Sequence, residues 1–110
     1  MSSDFAFWKR VDGDYGEIFD ALAEGDASGL LSSEDVTRFR EGLIAQWPDI
    51  VNVLEPSSTR YPELTSKYVL LTLSQRFLQY LDEIFDMAEQ NGLVGYSGVA
   101  GEPFIPEVNG

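Results

Sequence analysis

The segment KYVLLTLS, residues 67–74, has apolar residues on both of the sides that alternate along an extended chain. A strand with one solvated face alternates apolar and polar residues, so this pattern predicts a strand that is buried on both faces. Such a strand is expected to be central in its sheet and covered on both sides. The rest of the chain must therefore supply a sheet and at least two covering layers.

The first half of the chain predicts one strand and two helices. DFAFWKRV, residues 4–11, predicts a strand with Phe5 and Phe7 on one face and Ala6 and Trp8 on the other. A helix is predicted over residues 14–24 and ends at Gly25. A second helix is predicted to begin at Ser32, because Ser32 and Asp35 have the spacing of a capping box, and to end before Pro48.

The second half predicts a loop, the buried strand, a third helix and two more strands. Residues 50–55 form a short strand or an extended segment, and residues 55–66 form a surface loop with two prolines. Ser74 is predicted to cap a third helix, which Asn91 and Gly92 close as a left-handed C-terminal cap. The segments LVGYSG and GEPFIPEV are predicted to pair as the last strands, followed by a flexible tail at 106–110.

These elements predict an α+β fold for residues 1–110 as a single domain. We expect a sandwich of three helices packed on a small mixed sheet, in the order β-α-α-β-β-α-β-β. The length of 110 residues is near the commonest size of one domain, and 44% hydrophobic residues suffice for a core.

The chain contains no histidine and no cysteine. This excludes disulfides, zinc–thiolate sites, the usual general base and the Ser-His and Cys-His nucleophile pairs. We therefore expect a protein that is not an enzyme and that uses no cofactor.

The net charge is −12, with 19 acidic and 7 basic residues. Nucleic acids and anionic membrane surfaces would repel such a chain, whereas a basic protein is a natural partner. The start, MSSDFAFWKR, lacks the charged and apolar regions of a signal peptide, and no stretch is long enough to span a bilayer. We expect a cytoplasmic protein.

The third helix carries a run of carboxylates opposite its apolar stripe. The predicted contact surface combines that face with the 55–66 loop, and its residues are Asp82, Glu83, Asp86, Glu89, Glu55 and Glu63. An exposed acidic surface of this kind attracts a basic partner and accelerates its association.

The segment EGDASGLLSSED, residues 24–35, has the broad chemistry of a calcium loop. Its weak candidate ligands are Glu24, Asp26, Ser28 and Asp35. The first ligand is Glu where Asp is usual, and the last is Asp where Glu is usual. Helix stopping at Gly25 and helix capping explain the same residues, so an ordinary connection between two helices is the favoured interpretation.

Three segments carry a resemblance to a known group of proteins: FAFWKR, WPDI and YVLLTLSQRFLQYLDEIFDMAEQNGLVGYSG. Together they resemble small acidic bacterial proteins, largely uncharacterised, some of which are similar to immunity proteins of polymorphic and contact-dependent toxin systems. The resemblance implies that the chain neutralises a basic toxin by blocking it, and it brings no catalytic residues. The group often has a Tyr-Asp-Pro-Gln turn after the third helix; here Tyr96 matches its Tyr, but Ser97, Gly98 and Val99 replace the other three residues. The alternatives are a structural or regulatory domain and a degenerate calcium-binding module at 24–35.

Overall fold

A computed structural model describes residues 3–56 and 60–105. The strands are β1 (Ser3–Lys9), β2 (Leu54–Glu55), β3 (Tyr68–Leu73), β4 (Leu93–Ser97) and β5 (Glu102–Phe104). The helices are α1 (Tyr15–Ala23), α2 (Glu34–Gln46), α3 (Gln75–Leu78) and α4 (Leu81–Gln90), with 3₁₀ turns at Pro48–Val53 and Pro62–Leu64. The predicted tail at 106–110 and part of the predicted 55–66 loop, residues 57–59, lie outside the described residues.

The strands form one sheet in the order β2-β3-β1-β4-β5. All four described strand pairs are antiparallel, whereas the sequence suggested a mixed sheet. The reason is the position of β1. The α3–α4 crossover makes β3 and β4 run in the same direction, but β1 lies between them and is antiparallel to both.

The two faces of β1 begin two separate cores, and the predicted division of its residues between the two faces is confirmed. Phe5 and Phe7 pack with the apolar stripes of α2 and α4 on one side, which we call the Phe7 face. Ala6 and Trp8 pack with α1 on the other side, the Trp8 face. The α+β sandwich with three main helices on the sheet is therefore confirmed, with helices on both faces.

Two helix boundaries follow the predicted chemistry and a third differs. Gly25 and Gly92 follow α1 and α4 with φ of 83° and 69°, the left-handed conformation that glycine adopts without strain. The cap of α2 is Ser33 and not Ser32. Ser33 Oγ accepts a hydrogen bond from the Asp35 N–H at 3.1 Å, while the Ser33 N–H donates to Ser66 O at 2.8 Å. This second bond ties the cap to the segment before β3.

Two predicted elements are divided. The possible strand at 50–55 is mostly a 3₁₀ turn, and only Leu54 and Glu55 pair with β3. The predicted third helix consists of α3 and α4, which meet at a bend at Tyr80. The Tyr80 ring packs against Trp47 with centroids 5.2 Å apart, so the bend attaches the helical connection to the end of α2. Ser74 occupies the cap position of α3 but makes no side-chain capping bond.

A row across three strands joins two aromatic rings over a glycine. Gly95 of β4 is paired with Phe7 of β1 on one side and with Phe104 of β5 on the other. The two rings meet edge to face above it, with centroids 6.0 Å apart. A Cβ at Gly95 would lie 2.9 Å from Phe7 Cδ1 and 2.3 Å from Ala6 O. The missing side chain is therefore what lets these rings pack together.

Gly95→Ala should destabilise the protein by about 2 kcal/mol, because the added methyl group overpacks the row. Strand propensity alone predicts the opposite sign, since glycine weakens an ordinary strand interior. Urea unfolding followed by tryptophan fluorescence measures the difference. Gly29→Ala is the matched control, because nothing lies within 4 Å of a Cβ at Gly29. Equal stability of the two variants would contradict this account of Gly95.

Candidate partner-binding surface

Helix α4 presents its carboxylates to solvent, as predicted. Ile84 and Ala88 are buried under it, and Asp82, Glu83, Asp86 and Glu89 are all exposed. Successive helical residues are rotated by about 100°, so Asp82, Asp86 and Glu89 fall on one side of the helix. We call these three residues the acidic strip. Glu83 lies about 100° further round the helix from Asp82.

No residue of the acidic strip takes part in an ion pair within the described chain. Elsewhere in the described chain, ion pairs join Lys9 and Arg38 to Asp35, Arg38 to Glu34, and Arg76 to Asp49. Asp82 and Asp86 are one helical turn apart, a spacing at which like charges repel by a few tenths of a kcal/mol. The strip is thus a set of exposed negative charges whose mutual repulsion an added cation would relieve.

An apolar groove of about 440 Å³, the edge groove, lies next to the acidic strip. Its helical wall consists of Leu78, Leu81 and Phe85, and its strand wall consists of Val99, Pro103 and Phe104. Leu81 and Phe85 each precede a residue of the strip, so the apolar wall and the charges occupy neighbouring sides of one helix.

The base of the edge groove is held by aromatic packing. Phe85 and Phe104 stack with centroids 4.8 Å apart and an interplanar angle of 15°. Phe5 meets Phe85 edge to face at 5.9 Å. These contacts join α4 to β5, so the two walls are fixed relative to one another and the groove is formed in the unbound protein.

The structure separates the loop carboxylates Glu55 and Glu63 from α4. Glu55 lies opposite Leu70 in the sheet and therefore on the Trp8 face, whereas α4 covers the Phe7 face. Strand β2 is also at the other edge of the sheet, about 19 Å from β5 at the usual strand spacing. Glu63 lies in the 3₁₀ turn next to Leu64, which packs on the Trp8 face. The predicted single surface is therefore two surfaces.

Arg40, which no sequence pattern distinguishes, organises the loop side of the molecule. The residue is 5% exposed, and its guanidinium donates to four backbone carbonyls, those of Glu55, Pro56, Thr65 and Tyr68, at 2.9–3.4 Å. Burial lowers the pKa of Arg40 to about 10, so it stays charged at neutral pH. One buried cation thereby joins both ends of the predicted loop to α2.

A second cleft, of about 470 Å³, lies beside this cluster between the end of α1 and the loop. Its polar lining includes Glu24, Glu55, Tyr61 and Tyr68. Burial raises the pKa of Tyr68, and the nearby Glu55 carboxylate adds to the effect. The Tyr68 phenol therefore stays neutral at physiological pH.

The weak calcium candidates do not converge. Asp35 pairs with Lys9 Nζ at 2.7 Å and with Arg38 at 3.2 Å, and Asp26 accepts a hydrogen bond from the Ser28 N–H at 3.0 Å. Glu24 is the C-terminal cap of α1 and lines the second cleft. In the described part of the chain, no three acidic residues are grouped so that they could hold a metal ion.

Two features of the structure, the burial of Arg40 and the edge groove, had no clear signal in the sequence. Arg40 follows Phe39 on a helix of mixed charge, and nothing in that pattern distinguishes a buried arginine from an exposed one. The edge groove joins residues of α3 and α4 to those of β5 and the turn before it. The one sequence sign of this groove was the number of apolar residues in the segment GVAGEPFI.

No protein-family model, curated protein or solved structure matches the chain. Within residues 3–56 and 60–105, none of the helices has the length and apolar character needed to traverse a bilayer.

Arg40→Met should reduce the free energy of unfolding by about 3 kcal/mol, because four carbonyls lose a charged donor. Hydrogen exchange should also accelerate at the Ser33 and Lys67 amides, which are bonded within this region. Arg38→Met is the control on the same helix. Arg38 is 61% exposed, so the change should cost less than about 1 kcal/mol. A similar loss for both variants would contradict the role given to Arg40.

The Lys9–Asp35 pair should contribute stability that depends on pH. The hydrogen bond from Lys9 lowers the pKa of Asp35 below its ordinary 3.8. The contribution is therefore present above that value and is lost as the pH falls through the lower folded-state pKa. Asp35→Asn should lower the thermal midpoint at pH 7, and its difference from the wild type should shrink as the pH falls below 3.8.

The matched control is Asp49→Asn, which removes the more exposed ion pair with Arg76. Its midpoint should stay close to that of the wild type at both pH values, because exposed pairs contribute little. A wild-type advantage over Asp35→Asn that grows as the pH falls would have the wrong sign for this pair.

Proposed function

We propose that this protein acts by binding a basic protein partner through α4. The observation that carries the proposal is the acidic strip, Asp82, Asp86 and Glu89, whose carboxylates are exposed and pair with no base in the described chain. The strip belongs to a chain of net charge −12, so its local field adds to a long-range attraction for cations.

Such a surface favours fast and selective association. Complementary charge raises association rates well above those of neutral pairs, and it disfavours acidic competitors. Apolar contacts beside the charges then slow dissociation, because affinity among related complexes depends mainly on the off-rate. The edge groove supplies apolar surface at the required place.

A toxin domain that acts on nucleic acid is one partner with the required chemistry, because its cleft must be basic to hold phosphates. The proposed activity is that of an immunity protein, which would block such a cleft by occupying it. This proposal is supported by the acidic surface and by the resemblance in FAFWKR, WPDI and the C-terminal unit. It requires no catalytic group on this chain.

Affinity capture from bacterial lysate with three baits tests the proposal. The baits are the wild type, the triple variant Asp82→Lys/Asp86→Lys/Glu89→Lys and the control Glu17→Lys/Asp20→Lys/Glu24→Lys. The control has the same net charge as the triple variant, but its changes lie on and after α1, on the Trp8 face.

We expect a basic protein that the wild type and the control retain and that the α4 variant loses, with release at about 0.5 M salt, where the Debye length is short. Purified complex should then show at least a roughly tenfold lower affinity for the α4 variant. Equal retention by all three baits, or no retained basic protein, would contradict the assignment.

A further inference from the structure

We infer that the edge groove receives an amphipathic helix of the partner, with apolar side chains in the groove and lysine or arginine beside them. This inference rests on the proposed function and specifies the partner segment that α4 recognises. It follows from three features of the groove: its exposed apolar surface, the charges that flank it and the poor pairing capacity of β5.

The walls of the edge groove expose apolar side chains to solvent. Val99 on its strand wall is 63% exposed. Leu78, Leu81, Phe85 and Phe104 are each only partly buried although they pack on the core. A contiguous apolar depression among charged residues is typical of a protein-interaction site. A volume of about 440 Å³ accommodates several aliphatic side chains.

Negative charge lies on both sides of the groove. Asp82 and Asp86 adjoin the helical wall, and Glu102 lies in β5 on the strand side. The flanking charge is complementary to a segment with bases on either side of an apolar stripe. An apolar segment with acidic flanks would be repelled from the same place.

The edge of β5 favours a helix over an added strand as the occupant. β5 has three residues, Glu102–Phe104, and Pro103 at its centre has no N–H to donate. Strand addition depends on a row of main-chain hydrogen bonds, which such a short edge supplies poorly. A helix depends instead on anchors spaced three and four residues apart, and the groove between two fixed walls can receive them.

The probe is a fluorescein-labelled peptide of about 16 residues, about 24 Å long as a helix. Leucines at helical spacing form its apolar stripe, lysines flank the stripe, and alanine fills the other positions. A second peptide has glutamine at every leucine position and keeps all the lysines. Fluorescence anisotropy with the full chain measures both affinities, and circular dichroism measures helix formation on binding.

Two neutral substitutions test the groove without changing the charge. Ala100→Trp should fill it, and Val99→Asn should remove an apolar contact from its wall. Both positions are exposed, so the fold should be retained. The matched controls are Ala45→Trp on α2 and Val51→Asn in the 3₁₀ turn, which are also exposed and lie outside the groove.

The wild type should bind the leucine peptide at least about tenfold more tightly than the glutamine peptide. Ala100→Trp and Val99→Asn should each remove most of that difference, whereas both controls should keep it. Asp82→Lys/Asp86→Lys should weaken the binding of both peptides. The leucine peptide should gain helicity when it binds.

The outcomes separate this inference from the proposed function. If both peptides bind equally and the charge reversal weakens both, the groove inference is wrong while the acidic surface is supported. If the groove variants weaken binding of the leucine peptide but charge reversal does not, the inference that the partner helix carries basic residues beside its apolar stripe is wrong. If the leucine peptide does not bind the wild type, the inference is overturned, and the lysate capture still tests the proposed function separately.

Discussion

The central position of β1 is the constraint on which the other elements depend. β1 pairs with β3 on one edge and with β4 on the other, and its central residues 5–8 are buried on both faces. Phe7 packs with α2 and α4 on one side of the sheet, and Trp8 packs with α1 on the other side. Because successive strand residues point to opposite faces, one short segment determines which helices share a core.

Two local features hold the outer strands and the loop to this sheet: the hydrogen bonds of Arg40 and the absence of a side chain at Gly95. On the loop side, four backbone carbonyls before and after the loop accept hydrogen bonds from the buried side chain of Arg40. At the other edge, Gly95 leaves the space in which Phe7 and Phe104 meet across β4. The Arg40 hydrogen bonds hold β2 and the loop in place. The aromatic contact over Gly95 holds β5, where the edge groove forms.

Because both faces of the sheet are covered, the acidic residues of the chain lie on two separate surfaces. A helix on the Phe7 face and a loop on the Trp8 face cannot contribute to one contact patch of ordinary size, even though both are acidic. The carboxylates of α4 instead adjoin an apolar groove whose walls are already held together by stacked rings. Exposed charges and an apolar wall thus lie side by side on α4. This arrangement supports the proposed binding of a basic partner, because charge accelerates association and apolar contacts slow dissociation.

The sequence by itself determined the fold class, the buried strands, the approximate helices and the exposed carboxylates of α4, because these follow from periodicity, glycine stops and charge along a continuous segment. Tertiary structure alone decided the burial of Arg40, the aromatic row over Gly95, the bend at Tyr80 and the separation of Glu55 from α4. Each of these depends on residues that are distant in the chain and become neighbours only when β1 enters the centre of the sheet. A local pattern contains no information on such neighbours, and so the groove and its position beside the acidic strip emerge only in the folded molecule.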